Sequence, residues 1–218
     1  MTVQEAHLAF TQGLILSDVR SAGKPLMADN EETIGGSPYL SDVWGSGYAY
    51  IMDKIKSDNI PIRYDIYRDA AEIQEKNKTY ILDPSRIRGF KFSVMTNSGM
   101  KEYHFKNGFS QIKSISETAY FEILFEGKNI FLKRYLKKLG YDASNYGSNK
   151  SRAFQDQNSF YVLMQSGEVK EFPESKNALL KAFPQNKTEI NAFIKKQSIK
   201  IADSGDMKRL FEFVDSNL

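Results

Sequence analysis

The chain has 218 residues, of which 41% are hydrophobic, 26% charged and 13% aromatic, and its formal net charge is +3. This is the composition of a folded globular protein, with enough apolar content to bury a sizeable core. It has no cysteine and only two histidines, His7 and His104, which excludes disulfides, thiolate metal sites, thiol nucleophiles and histidine-rich metal centres.

Val3, His7, Phe10 and Leu14 fall at helical spacing, which predicts a short amphipathic helix over 3–16. The segment lacks the basic start and unbroken apolar core of a signal peptide. Residues 17–47 are rich in glycine and carry Pro25 and Pro38, so an extended, turn-rich arm is expected there. The N-terminal region, 1–47, is thus read as helix plus arm, and 48–218 as a single β-rich domain.

From residue 48 the apolar period becomes two. Strands are predicted at Tyr48–Met52, Pro61–Tyr67, Ala70–Glu75, Thr79–Leu82, Arg88–Met95 and Met100–Phe105. Lys76-Asn77-Lys78 and Asn97-Ser98-Gly99 supply turns between them. In the second of these strands Ile62, Tyr64 and Ile66 should face the core, with Arg63 and Asp65 paired on the other face. Phe90, Phe92 and Val94 should also point inward, and Gly89 marks a bulge. His104 is expected on the solvent side of its strand.

Strands at Tyr120–Phe125 and Ile130–Leu136 flank the turn Glu126-Gly127-Lys128-Asn129, and those at Phe160–Gln165 and Val169–Phe172 flank Ser166-Gly167. The basic run from Lys128 to Lys138 reads as a solvated face. Residues 139–158 are polar, with Gly140 and Gly147, and read as a long loop. Strands 120–125 and 160–164 are apolar on both faces and therefore need a cover. Three amphipathic C-terminal helices, within 175–218, supply it: Ser175–Phe183, one capped by Asn186 with Glu189 in capping-box position, and Ser204–Asn217. The fold class expected is α+β, mainly β: an antiparallel meander, a curled sheet or half-barrel, packed against C-terminal helices.

The chemistry-bearing patterns are few. Arg88-Gly89-Phe90-Lys91-Phe92-Ser93-Val94 partly imitates an RNA-binding strand, but Lys91 and Ser93 break the pattern, so no nucleic-acid partner is expected. No phosphate loop, dinucleotide glycine pattern, EF-hand or zinc-protease motif occurs. No spacing nominates a catalytic carboxylate pair, a metal-ligand set or a cofactor site, and no run of apolar residues is long enough for a transmembrane helix. Tyr39, Trp44, Tyr48 and Tyr50 gather where the arm meets the first strand of the domain, and are the candidate binding residues.

Gly36-Ser37-Pro38-Tyr39-Leu40, then Trp44 and Gly47, then Arg63-Tyr64-Asp65-Ile66-Tyr67 with Asp69 and Glu72-Ile73, resemble a family of exported bacterial proteins. That family's pattern runs GSPYL, an aromatic and a glycine, RYNIYND, several strands and a charged helical tail. The resemblance spans roughly 36–218 and includes no catalytic signature. It implies export, hence a place in the periplasm or cell envelope with the signal absent from this sequence; a cytoplasmic location is the alternative. The function expected is non-enzymatic binding of a protein or an apolar small molecule. A carboxylate-based hydrolase with a sheet-lined cleft, or a structural or assembly protein, are the alternatives.

Overall fold

A computed structural model describes residues 15–18, 34–51, 55–56, 59–75, 78–97, 99–141 and 152–217. The chain is mainly β, its sheet is antiparallel and does not close, and three C-terminal helices pack on strands. Two compact units divide the chain: 1–108 with 118–120 and 136–156, and 109–117 with 121–135 and 157–218.

In the first unit the strands are β1 (Ile15–Asp18), β2 (Gly45–Ile51), β3 (Ile55–Lys56), β4 (Ile60–Asp65), β5 (Ala70–Glu75), β6 (Lys78–Leu82), β7 (Ile87–Thr96) and β8 (Gly99–Lys106). They lie in the order β1-β6-β5-β4-β2-β7-β8, with β3 on β2. The predicted hairpins β5–β6 and β7–β8 form. Gly99, at φ +108°, takes the positive φ that the β7–β8 turn demands. Most of the predicted 3–16 helix lies outside the described residues, but its last two residues, Ile15 and Leu16, are strand: they open β1, paired antiparallel to β6. The arm also yields to strand sooner than expected, since β2 begins at Gly45.

The core of this unit follows the alternation. Ile62, Tyr64, Ile73, Phe90, Phe92, Val94 and Phe105 are buried. Tyr64 packs with its ring tilted 4.6 Å from Phe105 and 5.7 Å from Phe90, and Tyr120 meets Phe90 edge-on at 5.0 Å. The Phe90 and Phe92 of the RNA-binding-like run therefore face inward, where no base could stack on them. The expected bulge is present: Tyr50 pairs with Gly89 and Ile51 with Ile87, leaving Arg88 as the extra residue.

Residues 139–158 are not wholly a loop. β11 (Lys137–Tyr141) and β12 (Arg152–Asp156) pair antiparallel as a separate two-stranded sheet; 142–151 lie outside the described residues. Few apolar residues mark these strands, so backbone pairing sets them where periodicity is silent. Gly35 bridges to Ala153, and Tyr67 packs edge-on against Phe154 at 5.3 Å.

In the second unit β9 (Phe121–Glu126), β10 (Ile130–Arg134), β13 (Ser159–Leu163) and β14 (Val169–Pro173) form adjacent antiparallel pairs. The helices are α1 (Lys176–Ala182), α2 (Lys187–Lys196) and α3 (Ser204–Asn217). One face of this sheet sends Leu124, Phe131, Phe160, Val162 and Phe172 to meet Leu179, Ile190, Met207, Leu210, Phe211 and Val214 of the helices. The other face of β9 and β13 is also buried, with Phe121 edge-on to Tyr161 at 5.3 Å and to Phe109 at 5.5 Å.

Ser175 caps α1, its hydroxyl accepting from the Ala178 amide. The expected cap on α2 is not made: Asn186 shows no side-chain cap bond and donates instead to the Asn217 carbonyl at the end of α3. Asp203 caps α3 by accepting from the Asp206 amide at 3.0 Å.

Candidate functional site

The site is built on β2. Gly45, Gly47 and Ala49 turn inward and are buried. The even-numbered residues Ser46, Tyr48 and Tyr50 occupy the opposite, partly exposed face. Gly47 permits this close packing: a Cβ there would sit 1.9 Å from the Lys91 carbonyl oxygen.

The strand register extends the face across β2, β7 and β8. Ser46, Ser93 and Glu102 form one row; Tyr48, Lys91 and His104 the next; Tyr50, Gly89 and Lys106 the third. Tyr48 and Tyr50 meet edge-on at 5.2 Å, and Tyr50 lies 6.1 Å from the His104 ring. Burial pushes the Tyr50 hydroxyl well above the usual phenol range, and its hydrogen bond with Tyr48 adds to this. It remains a neutral hydroxyl at any physiological pH.

Tyr39 and Trp44 form a second cluster around Arg63 of β4. The guanidinium carbon lies 3.6 Å from the Tyr39 ring centroid and 4.4 Å from that of Trp44. Arg63 Nη2 donates to the Tyr39 hydroxyl at 2.9 Å and to Glu72 Oε2 at 2.7 Å, and Nε donates to the same oxygen at 3.2 Å. Burial, then the Glu72 charge, raises the Tyr39 pKa. The cage is therefore filled by the chain's own cation.

The expected Arg63–Asp65 pairing is not formed. Glu72 is the cross-strand partner of Arg63 in the β4–β5 register. Asp65, 0% exposed, turns to Arg68: its Oδ1 accepts the Arg68 amide at 2.9 Å and its Oδ2 lies 3.7 Å from Arg68 Nε. Burial holds the Asp65 carboxyl above its ordinary pKa.

A third polar cluster, in the second unit, has no sequence signal. Glu122 of β9 is fully buried, and its Oε2 accepts from the Tyr135 hydroxyl at 2.7 Å and from the Ser204 hydroxyl at 2.8 Å. Its Oε1 has no hydrogen-bond partner. Burial raises the Glu122 pKa. Lys133, its register partner on β10, is buried as well and ion-paired to Glu174, so this member of the basic run is not on a solvated face. The three residues around Glu122 Oε2 come from chain positions 122, 135 and 204, which no local motif could join.

Among the described residues no group of three His, Asp or Glu side chains is arranged to hold a metal ion. Among the described residues no helix is long and apolar enough to cross a membrane. No protein-family model, curated protein or solved structure matches the chain.

Proposed function

We propose that this chain is a non-enzymatic binding protein whose ligand is another protein, held on the partly exposed face of the first unit's sheet. The observation that carries this reading is the placement of Tyr48 and Tyr50 on one face of β2, with Trp44 and Tyr39 stacked on Arg63 at its start. Tyrosine, tryptophan and arginine dominate the energetics of protein interfaces, because large rings with few rotors lose little entropy when covered. Here their packing against one another fixes them further before any partner arrives.

A protein is favoured over an apolar small molecule because the aromatic side chains inside each unit pack on one another. Phe90, Phe105, Tyr64 and Tyr120 form one continuous ring contact, and Phe131, Phe160, Phe172 and Phe211 another. The hydrolase alternative would call on Glu122, but that carboxylate is held beneath the first residue of α3 by two hydroxyls. The resemblance to exported bacterial proteins supports a place in the periplasm or cell envelope.

Native mass spectrometry of protein isolated from its own host, followed by organic extraction, tests the ligand class. The expected result is a co-purifying polypeptide that the Y48A/Y50A variant loses. A small apolar molecule recovered in the extract would overturn the choice of a protein ligand.

A further inference from the structure

We infer that Met95 and Met100 form a methionine-oxidation site, modified by hydroperoxides at the tip of the β7–β8 hairpin. The chain has seven methionines and no cysteine, so thioethers are its entire supply of oxidisable sulfur. Met95 and Met100 are direct register partners and are 72% and 68% exposed. The other two methionines among the described residues differ sharply. Met207 is 0% exposed within the helix-facing core, and Met164 packs against the same core.

Exposure on this scale is unusual for side chains whose ordinary use is to fill gaps in a core. Beside them the Thr96 hydroxyl donates to the Gly99 carbonyl at 2.7 Å, and Gly99 takes a positive φ. The end of the β7–β8 ladder thus holds two thioethers in solvent.

The chemistry is a two-electron oxidation. The thioether sulfur attacks the distal oxygen of a hydroperoxide, the O–O bond breaks, an S–O bond forms, and water or an alcohol leaves with the remaining oxygen. Methionine sulfoxide reductase reverses it. The sulfoxide oxygen departs as water and a dithiol supplies the two electrons, becoming a disulfide.

The position gives the change a consequence. On β7 the odd-numbered residues share the face of Lys91 and Ser93, and on β8 the even-numbered residues share that of Glu102 and His104. Met95 and Met100 are the next pair on this face beyond Ser93 and Glu102. Oxidation therefore converts the apolar end of a row on that face into two strong hydrogen-bond acceptors, with no buried atom disturbed. The site itself does not rest on the reading of that face as a protein contact.

The test exposes the intact folded chain to dilute hydrogen peroxide and follows each methionine by peptide mass spectrometry. Met95 and Met100 are expected to gain oxygen at least about tenfold faster than Met207. Both sulfoxides should return to thioether on incubation with methionine sulfoxide reductase and dithiothreitol, and the thermal midpoint should stay unchanged throughout. Oxidation of either residue no faster than Met207, or sulfoxides that the reductase leaves in place, would overturn the proposal.

Discussion

Arg63 and Glu72 form a cross-strand ion pair in which one carboxylate oxygen, Glu72 Oε2, accepts from both Nε and Nη2 of the guanidinium. Glu72 is almost wholly buried, and the Tyr39 and Trp44 rings both pack on the Arg63 guanidinium. Of the four candidate aromatics, Tyr39 and Trp44 pack on this pair through Arg63.

Removing one partner should therefore cost more than removing both. Arg63→Ala leaves the Glu72 charge buried and unpaired, and is expected to lower stability by about 3–5 kcal/mol. The R63M/E72L double variant, which buries no charge, should lose clearly less. Urea unfolding of the single and double variants at neutral pH checks this. A double variant as unstable as R63A would mean that the packing of the aromatics, not the buried charge, carries the cost.

Glu122 supplies a pH signature. Its carboxyl is raised above the ordinary value of 4.5 by burial, so the folded chain holds this proton more tightly than the unfolded chain does. The stability this provides is complete below the ordinary value and is lost as pH rises through the raised one. Glu122→Gln keeps a carbonyl acceptor for Tyr135 and Ser204 and cannot ionise. It should flatten the decline at higher pH, whereas Glu122→Ala should cost about 1–3 kcal/mol, because the Tyr135 and Ser204 hydroxyls, 3.1 Å apart, keep only each other where both had donated to the carboxyl. Asp65, also raised by burial, contributes the same sign in both proteins, so the difference between wild type and E122Q isolates Glu122. Thermal melts from pH 4.5 to 9 make the comparison.

Asp215 of α3 ties the helix to the β9–β10 turn. Its two oxygens accept from the Lys128 amide, the Asn129 amide and the Asn129 side-chain amide at 2.7–2.9 Å. Asp215→Ala should cost about 2–4 kcal/mol, because three charge-assisted bonds, two of them to the buried Asn129, disappear together. Hydrogen exchange should show the Lys128 and Asn129 amides losing protection first. Uniform loss over the whole unit would contradict this local role.

Gly47→Ala should be damaging although the change adds one methyl. The new Cβ would meet the Lys91 carbonyl oxygen at 1.9 Å, and that atom belongs to the paired backbone of β7. A loss of about 1–3 kcal/mol is expected in chemical denaturation. Gly167, with open space around it, provides a contrast in sterics but carries its own positive φ.

Local patterns in the sequence carry the local structure. The β5–β6 and β7–β8 hairpins are legible from their turn residues and period-two alternation, and α1 from Ser175 and the Leu179–Phe183 stripe. The doubly buried character of β13 is legible from its unbroken apolar run. What is not legible depends on register or on distant chain. Asp65 is two residues from Arg63 on the same strand, but Glu72, nine residues on, lies directly opposite in the β4–β5 ladder and takes the guanidinium. Asn186 has the residue type of a cap, yet its amide is drawn to the end of α3. The β11–β12 pair is hidden because its strands carry few apolar residues to mark a period.

The four candidate aromatics divide along the same line. Alternation along β2 places Tyr48 and Tyr50 side by side, as strand geometry requires. That Tyr39 and Trp44 close on Arg63 follows only from a tertiary pairing, in which Leu40 N donates to the Tyr64 carbonyl and Ile66 N to the Pro38 carbonyl.

The face bearing Tyr48 and Tyr50 is the proposed contact with a protein. Placing a photo-cross-linking amino acid at position 48, and separately at the exposed position 212 on α3, and irradiating cells of the native host tests it most directly. A discrete higher-mass adduct is expected from position 48 that Tyr50→Ala abolishes, and none of that mass from position 212. Equal adducts from both positions, or an adduct at 48 indifferent to Tyr50, would contradict it.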